Sequence, residues 1–205
     1  MEKDISTEEK IREAARKIFH QKGYAATRTR DIAEEAGINL ALLNYYFRSK
    51  EKLFEMVMAE SFHKLFVSIR SVIVDNDMTL SQKIDAIVAT YTDMLIENPN
   101  LPIFVLGEIQ ANPDRIKEII RINSQVIIES PTFQQVVAQL EKIGMKGTDP
   151  FHLVLNMLSM TLFPFIGKPV IQKLTEMDNE DFLKFVHERR MLVPLWIKGM
   201  LQLSN

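Results

Sequence analysis

Apolar residues recur at helical spacing along most of this 205-residue chain. Near the N-terminus, for example, Ile11, Ala14, Ala15, Ile18 and Phe19 fall on one face of a helix. A β-strand requires apolar and polar residues to alternate, and no such alternation competes with the helical period. The sequence therefore predicts an all-α protein.

Capping and breaking residues divide this pattern into separate helices. Ser6 and Glu9 have the spacing of a capping box, and Gly23 is typical of a helix C-terminus. Asn39 is placed to cap the third helix. After the first helix, the predicted helices cover about residues 29–36, 39–47, 49–74, 80–97, 103–111, 113–129, 132–143, 150–163 and 179–203.

The predicted helices differ in length along the chain. Three short helices come first, a long helix follows, and a larger helical body makes up the rest. No linker rich in glycine or proline separates the short helices from the body. We therefore expect a domain boundary inside the long helix, with one domain at residues 1–54 and the other at 55–205.

Positive charge is concentrated near the N-terminus. Residues 16–52 carry eight basic and four acidic residues, although the whole chain has a net charge of -2. A local basic segment on a weakly acidic protein indicates an anionic partner for that segment. A solvated basic face is the alternative interpretation.

Residues 27–47 have the pattern of a helix-turn-helix. Two short helices flank Gly37, where a tight turn requires a residue that tolerates a positive φ. Small and apolar side chains on either side allow the two helices to cross closely. These are Ile32, Ala33, Ala36 and Ile38.

The third helix has two different faces. Leu43, Tyr46 and Phe47 fall on the inner side. The outer side carries the amide of Asn44 and the phenol of Tyr45, and these groups suit contacts to base edges in the major groove of DNA. The full outer set is Ala41, Leu42, Asn44 and Tyr45.

In order and spacing, residues 7–54 resemble the DNA-binding domain of the tetracycline-repressor (TetR) family of bacterial transcription regulators. The matching positions after the amphipathic first helix are Gly23, Tyr24, Thr27, Ile32, Ala33, Ala36, Gly37, Ile38, Leu43, Tyr46, Phe47, Lys50, Glu51, Leu53 and Phe54.

This resemblance implies a helix-turn-helix at about residues 28–47 in a DNA-binding domain, residues 1–54. It implies an effector-binding and dimerisation domain, residues 55–205. The expected function is that of a homodimeric repressor, which a small apolar or amphipathic molecule releases from a palindromic operator. The expected DNA contacts are Thr27, Arg28, Thr29, Asn39, Leu40, Ala41, Asn44, Tyr45, Tyr46 and Lys50.

The chain departs from the family pattern in the recognition helix. The family often has a serine cap, a lysine or glycine after it, and a tyrosine before the aromatic pair. Asn39, Leu40, Ala41 and Asn44 replace them here. This difference favours base recognition by Asn44 and disfavours phosphate binding at Leu40.

Two further sets of residues are expected in the body. Soft and aromatic side chains suit an apolar effector pocket, with core packing as the alternative role. The candidates are Phe62, Phe66, Met94, Phe104 and Met157. The last two long helices are apolar on most sides, which predicts a dimer interface there. The candidates are Leu158, Leu162, Leu195 and Trp196.

The sequence also fits functions other than that of a repressor. An activator, or a DNA-binding regulator controlled by a protein partner, fits the same N-terminal domain. An enzyme or a metal-binding helical bundle is a more remote alternative. Glu60 with His63, and Asp149 with His152, have metal-ligand spacing. However, Glu60 points away from the apolar stripe of its helix, and Asp149 precedes Pro150 as a helix cap would.

We therefore expect no enzyme activity, no catalytic residue, no cofactor and no metal site. The chain has no cysteine and its first ten residues contain no apolar run, so we expect a cytoplasmic protein. The uncharged stretch 150–167 is interpreted as a buried or interface helix, with no membrane as partner.

Overall fold

The computed structural model describes residues 6–111, 113, 114, 117, 125 and 127–203, and its regular elements there are all helices. Some helical residues have side chains outside the described part, namely Phe62, Lys64, Leu65, Phe66, Ser68, Glu108 and Ala111. Most of the helix predicted at residues 113–129 also lies outside it.

The described helices follow the predicted order. They are α1 (Thr7–Ala26), α2 (Thr29–Glu35), α3 (Leu40–Tyr46), α4 (Lys50–Val74), α5 (Leu80–Glu97), α6 (Leu101–Ala111), α7 (Pro131–Lys142), α8 (Phe151–Ile166), α9 (Lys168–Thr175) and α10 (Asn179–Met200). The prediction of an all-α fold is confirmed.

Local sequence explains where the N-terminal helices begin and end. The Ser6 hydroxyl accepts a hydrogen bond from the Glu9 amide at 3.2 Å, as a cap should. Gly23 interrupts α1 with φ 72° and ψ 172°, so the helical direction changes there. The Asn39 side chain accepts from the Leu42 amide at 2.8 Å and so caps α3. The predicted caps at Ser6 and Asn39 are confirmed, whereas Gly23 breaks the helical conformation inside α1, which continues to Ala26.

Two differences from the predicted helices have local causes. α6 begins at Leu101 and not at residue 103, since Pro102 fits the first turn of a helix, where no amide partner is needed. α9 starts directly after α8 and was not predicted from the sequence. Gly167 ends α8 and precedes α9, whose first turn again contains a proline, Pro169.

The chain forms two compact units. The head unit comprises the residues up to Lys64 together with Ile103–Pro113, so most of α6 belongs to it. It extends further along α4 than the expected boundary after residue 54, because Val57 and Met58 are buried. The core of the head includes the whole predicted stripe of α1, namely Ile11, Ala14, Ala15, Ile18 and Phe19.

The body unit comprises Leu65–Pro102 and Asp114–Asn205. One of its cores joins α5, α7, α8 and α10 and is centred on Val88, Leu153 and Ile197. A second core joins α5, α8 and α10 around Leu95, Phe165 and Phe182. Ion pairs also connect α5 to α10, with Lys198 Nζ at 2.7 Å from Asp85 and Arg190 at 2.9 Å from Asp93.

Among the described residues, no single helix has the length and apolar character needed to cross a membrane. The bent pair Phe151–Ile166 and Lys168–Thr175, with an angle of 67° between its helices, meets the criteria of length and composition together.

Candidate nucleic-acid interface

The turn between α2 and α3 has the geometry that the sequence predicted. Gly37 has φ 67°, in the left-handed region that favours glycine. The Ile38 amide donates to the Ala33 carbonyl at 3.0 Å and closes the turn. Ile32, Ala33 and Leu43 are buried where α2 meets α3, so a small apolar interior holds the two helices together.

The outer face of α3 is open to solvent. Tyr45 is 80% exposed, and Asn44 and Ala41 are also exposed. The Tyr46 ring packs edge-on against the Tyr45 ring, with centroids 5.4 Å apart, and is half as exposed. Leu40 stands exposed at the start of the helix. The face therefore presents an amide, a phenol and small apolar groups, which are suited to base edges.

Several cations of the basic segment are held by acids of the head unit. Arg16 lies 2.8 Å from Glu60, and the same carboxylate meets Arg12 at 3.2 Å. Lys17 pairs with Glu35, and Lys22 pairs with Asp31 at 3.1 Å. Their charges are largely balanced within the fold, so they add little to an anion-binding surface.

Other cations of the segment remain available. Within the described part of the chain, Arg28, Arg30, Arg48 and Lys52 are exposed and have no ion pair with an acid. They lie at the start of α2 and where α3 leads into α4. Sequence reasoning included Arg28 but missed the other three, although the charge excess of residues 16–52 was a signal that could have found them.

The start of α2 is built around hydrogen bonds. Thr27 is only 2% exposed, and its hydroxyl donates to the Gly23 carbonyl at 2.7 Å. The Arg28 amide donates to the Asp31 carboxylate at 3.1 Å. This hydrogen bond is the main reason why the pKa of the Asp31 carboxyl is lowered, and the hydrogen bond from Lys22 is the second. Thr29 is half-buried at the first position of α2.

Lys50 is half-buried at the first position of α4. Its ammonium donates to the carbonyls of Tyr24 and Thr27 at 2.9 and 3.0 Å. It also lies over the Tyr24 ring, 4.1 Å from the centroid. Two of its three N–H groups therefore donate hydrogen bonds within the head. The expected contact of Lys50 with a DNA phosphate stays a prediction.

The expected effector residues fall in different places. Met94 and Met157 are half-buried in the body unit, where each packs against a core. Phe104 instead belongs to the head unit, where it is 5% exposed and lies between the rings of His20 and Phe54. This placement corrects its assignment to a pocket of the body. The side chains of Phe62 and Phe66 lie outside the described residues.

The expected dimer residues also divide into two groups. Leu195 and Trp196 on α10 are 46% and 43% exposed. Leu158 and Leu162 on α8 are half-buried and pack against the protein's own second core. The large apolar side chains that α8 exposes are Phe151, Leu155 and Phe163.

The two metal-like patterns have other partners. Glu60 is held by two arginines, and the Asp149 carboxylate accepts the Phe151 amide at 2.9 Å. Among the described residues, no group of three or more histidine, aspartate or glutamate side chains converges on a point where a metal ion could bind.

Comparison with known proteins supports the interpretation of the head. Residues 11–57 match the sequence profile "Bacterial regulatory proteins, tetR family". A curated relative, "Probable HTH-type transcriptional regulator YttP" of Bacillus subtilis, is 28% identical over 98% of this chain and 97% of its own length.

Solved structures share the fold. The hemolysin II transcriptional regulator HlyIIR aligns with a TM-score of 0.60 at 25% identity, covering 91% of this chain and 96% of its own. FadR from Bacillus subtilis, solved in complex with stearoyl-CoA, also has a TM-score of 0.60. It is 15% identical and covers 90% of this chain and 96% of its own.

A helical head with an exposed recognition helix beside unpaired cations, matched by these comparisons, defines a helix-turn-helix DNA-binding transcription regulator. Its relatives are transcription regulators and not enzymes. Together these comparisons support a TetR-family transcription regulator, with the family profile matching the head at residues 11–57.

Proposed function

We propose that this protein is a homodimeric repressor that leaves a palindromic operator when a small apolar or amphipathic molecule binds its body unit. The main support for a homodimer is an apolar face that α8 and α10 leave exposed on the body. Its large side chains are Leu155, Phe163, Leu192, Leu195 and Trp196.

Several features of this face favour a second copy as its partner. α8 and α10 are packed together, with the Arg189 guanidinium donating to the Met160 carbonyl at 2.9 Å. Pro164 has no amide hydrogen, so the Met160 carbonyl lacks its usual helical partner and Arg189 takes that place. Arg189 also lies over the Trp196 ring, 5.3 Å away. Such arginine and aromatic groups are enriched in protein interfaces.

A charge placed in the apolar face tests the dimer. In Leu195→Asp, we expect monomers at micromolar concentration in sedimentation velocity, whereas the wild type sediments as a dimer. Leu174→Asp is the matched control, because Leu174 is 79% exposed on α9 and lies outside the face. A wild-type monomer, or equal dissociation of the two variants, would refute this interface.

For the DNA-bound state, we propose two kinds of contact. Asn44 and Tyr45 read base edges, and Leu40 and Ala41 pack against thymine methyl groups. Phosphate contacts come from Arg28, Thr29, Asn39, Tyr46 and Lys50, and Thr27 supports the start of α2 from inside.

The two-fold axis of a dimer implies a palindromic site, with recognition helices about 34 Å apart. Selection of duplexes from a random pool, followed by footprinting, should give such a site. A single asymmetric half-site would contradict the proposal.

The effector site is proposed for the body unit near Met94 and Met157, since flexible apolar side chains adapt to varied ligands. FadR holds stearoyl-CoA in a chain of the same fold, which makes an acyl chain a suitable probe. Stearoyl-CoA, palmitate and coenzyme A should be compared in gel-shift assays with the selected duplex. Release by the acyl compounds alone supports an apolar effector.

The sign of regulation requires a separate assay. The selected site is placed over a promoter, and transcription is measured in vitro with and without the protein. A repressor lowers transcript yield, whereas stimulation would favour the activator. Such a regulator acts in the cytoplasm, where the bacterial chromosome lies.

A further inference from the structure

The corner between α1 and α2 leaves two backbone carbonyls without their usual helical partners. In a continuous helix the Tyr24 carbonyl would accept from the Arg28 amide, but that amide donates to the Asp31 carboxylate at 3.1 Å. The Thr27 carbonyl would accept from the Asp31 amide, which donates to the Arg28 carbonyl at 3.0 Å instead. Both carbonyls therefore need another donor.

One ammonium group supplies that donor to both carbonyls. Lys50 Nζ lies 2.9 Å from the Tyr24 carbonyl and 3.0 Å from the Thr27 carbonyl. The Tyr24 ring lies beneath it at 4.1 Å and stabilises its charge. The same ring packs against buried Phe54 with centroids 4.7 Å apart, so the acceptors and the ring are held in place by the head core.

The contact joins two parts of the DNA-binding surface. Lys50 is the first residue of α4, and Thr27 lies two residues before the first turn of α2. Between Thr27 and α2 lies Arg28, and Arg30 follows, and both side chains are exposed. The position of these arginines relative to α4 therefore depends on the Lys50 ammonium.

We propose that Lys50 is a positioning residue for DNA recognition. By holding the carbonyls of Tyr24 and Thr27, its ammonium fixes the start of α2 relative to α4 and so sets how well the head discriminates between base sequences. Neutralising a phosphate is a secondary role, open to its third N–H. The proposal rests on DNA binding by the head and not on dimerisation or effector release.

Two substitutions separate the possible roles of Lys50. Lys50→Met removes the ammonium. Lys50→Arg keeps the positive charge but replaces a compact ammonium by a planar fork that cannot reproduce the same contacts. Lys52→Met is the control, since Lys52 is an exposed lysine in the same turn without an ion pair among the described residues.

The probe is a duplex that the wild type selects from a random pool, together with its single-base variants. Affinities are measured at two salt concentrations, and melting temperatures are measured without DNA. We expect Lys50→Met and Lys50→Arg to melt several degrees lower, because half-buried carbonyls lose their donor. For each protein we compare the tightest and the weakest affinity among the single-base duplexes. We expect this ratio to fall by about fivefold in both Lys50 variants, which is within the range of one good base contact. Lys52→Met should keep the melting temperature and this ratio, and should lower the affinity for all duplexes by a similar factor.

The possible results are distinct. If Lys50→Met only lowered the salt slope by about one, with melting and discrimination unchanged, Lys50 would be a phosphate contact and the proposal would be wrong. A lower melting temperature with unchanged discrimination would make it a stabilising residue only, which also overturns the proposal. If Lys50→Met does not fold, discrimination by Lys50→Arg decides. A wild type that selects no duplex would instead count against DNA binding itself.

Discussion

Phe104 offers a sharp test of the finding that α6 belongs to the head unit. Its ring is 5% exposed and lies 5.1 Å from the His20 ring and 5.2 Å from the Phe54 ring, centroid to centroid. Burying a phenylalanine side chain stabilises a fold by about 1.5–3 kcal/mol, and a tilted aromatic pair such as that with Phe54 adds about 0.5–1.5 kcal/mol.

Phe104→Ala should therefore lower the free energy of unfolding of the head by about 3–5 kcal/mol, the usual cost of this substitution in a core. For a chain of this length, that loss corresponds to a fall in melting temperature of about 6–20 °C. Ile103→Ala is the matched control, because Ile103 is the neighbouring residue but is 50% exposed. The control should change the free energy of unfolding by less than about 0.5 kcal/mol.

Urea unfolding at a fixed protein concentration, followed by two signals, measures the effect in each unit. Far-ultraviolet circular dichroism reports all helices, whereas fluorescence of Trp196, the single tryptophan, reports the body. We expect Phe104→Ala to shift an early dichroism transition more than the fluorescence transition. Equal and small losses for Phe104→Ala and Ile103→Ala would refute the packing of Phe104 into the head.

Three further predictions concern single side chains. Burial of the imidazole lowers the pKa of His20 to about 4, and the positive charge of Arg16 is the smaller second cause. Protonation therefore favours the unfolded chain, and the free energy of unfolding should fall as the pH drops from about 6.5 to about 4. In denaturant titrations at several pH values, the free energy of unfolding of His20→Gln should depend less on pH than that of the wild type. The control His187→Gln, at an exposed site, should keep the wild-type dependence. Asn44→Ala should reduce the free energy of DNA binding by about 1–3 kcal/mol through one operator position and little through the others, as measured on single-base operator variants. A uniform loss of affinity for all these duplexes would make Asn44 a phosphate contact. Asn39→Ala removes the cap on the Leu42 amide and should lower the free energy of unfolding by about 0.5–2 kcal/mol, whereas an unchanged melting curve would contradict the cap.

The sequence alone determined the features that depend on neighbouring residues. The apolar stripe of α1, the cap at Ser6 and the positive φ of Gly37 follow from helical period, capping chemistry and backbone sterics. The two faces of α3 follow in the same way, with Leu43 buried and Asn44 exposed. Because these effects act within about one helical turn, the helix-turn-helix and its resemblance to the TetR family could be inferred before any tertiary contact was known.

Only the tertiary structure decided which distant groups meet. Helical period shows which side of a helix a residue occupies, but not what lies opposite it. Lys17 thus has an acidic partner 18 residues away in Glu35, while Arg48 remains exposed. Lys50 meets carbonyls 23 and 26 residues away, and Phe104 packs in the head although the sequence placed it in the body. Such pairings depend on how helices pack, because packing brings together side chains that local sequence rules treat as independent.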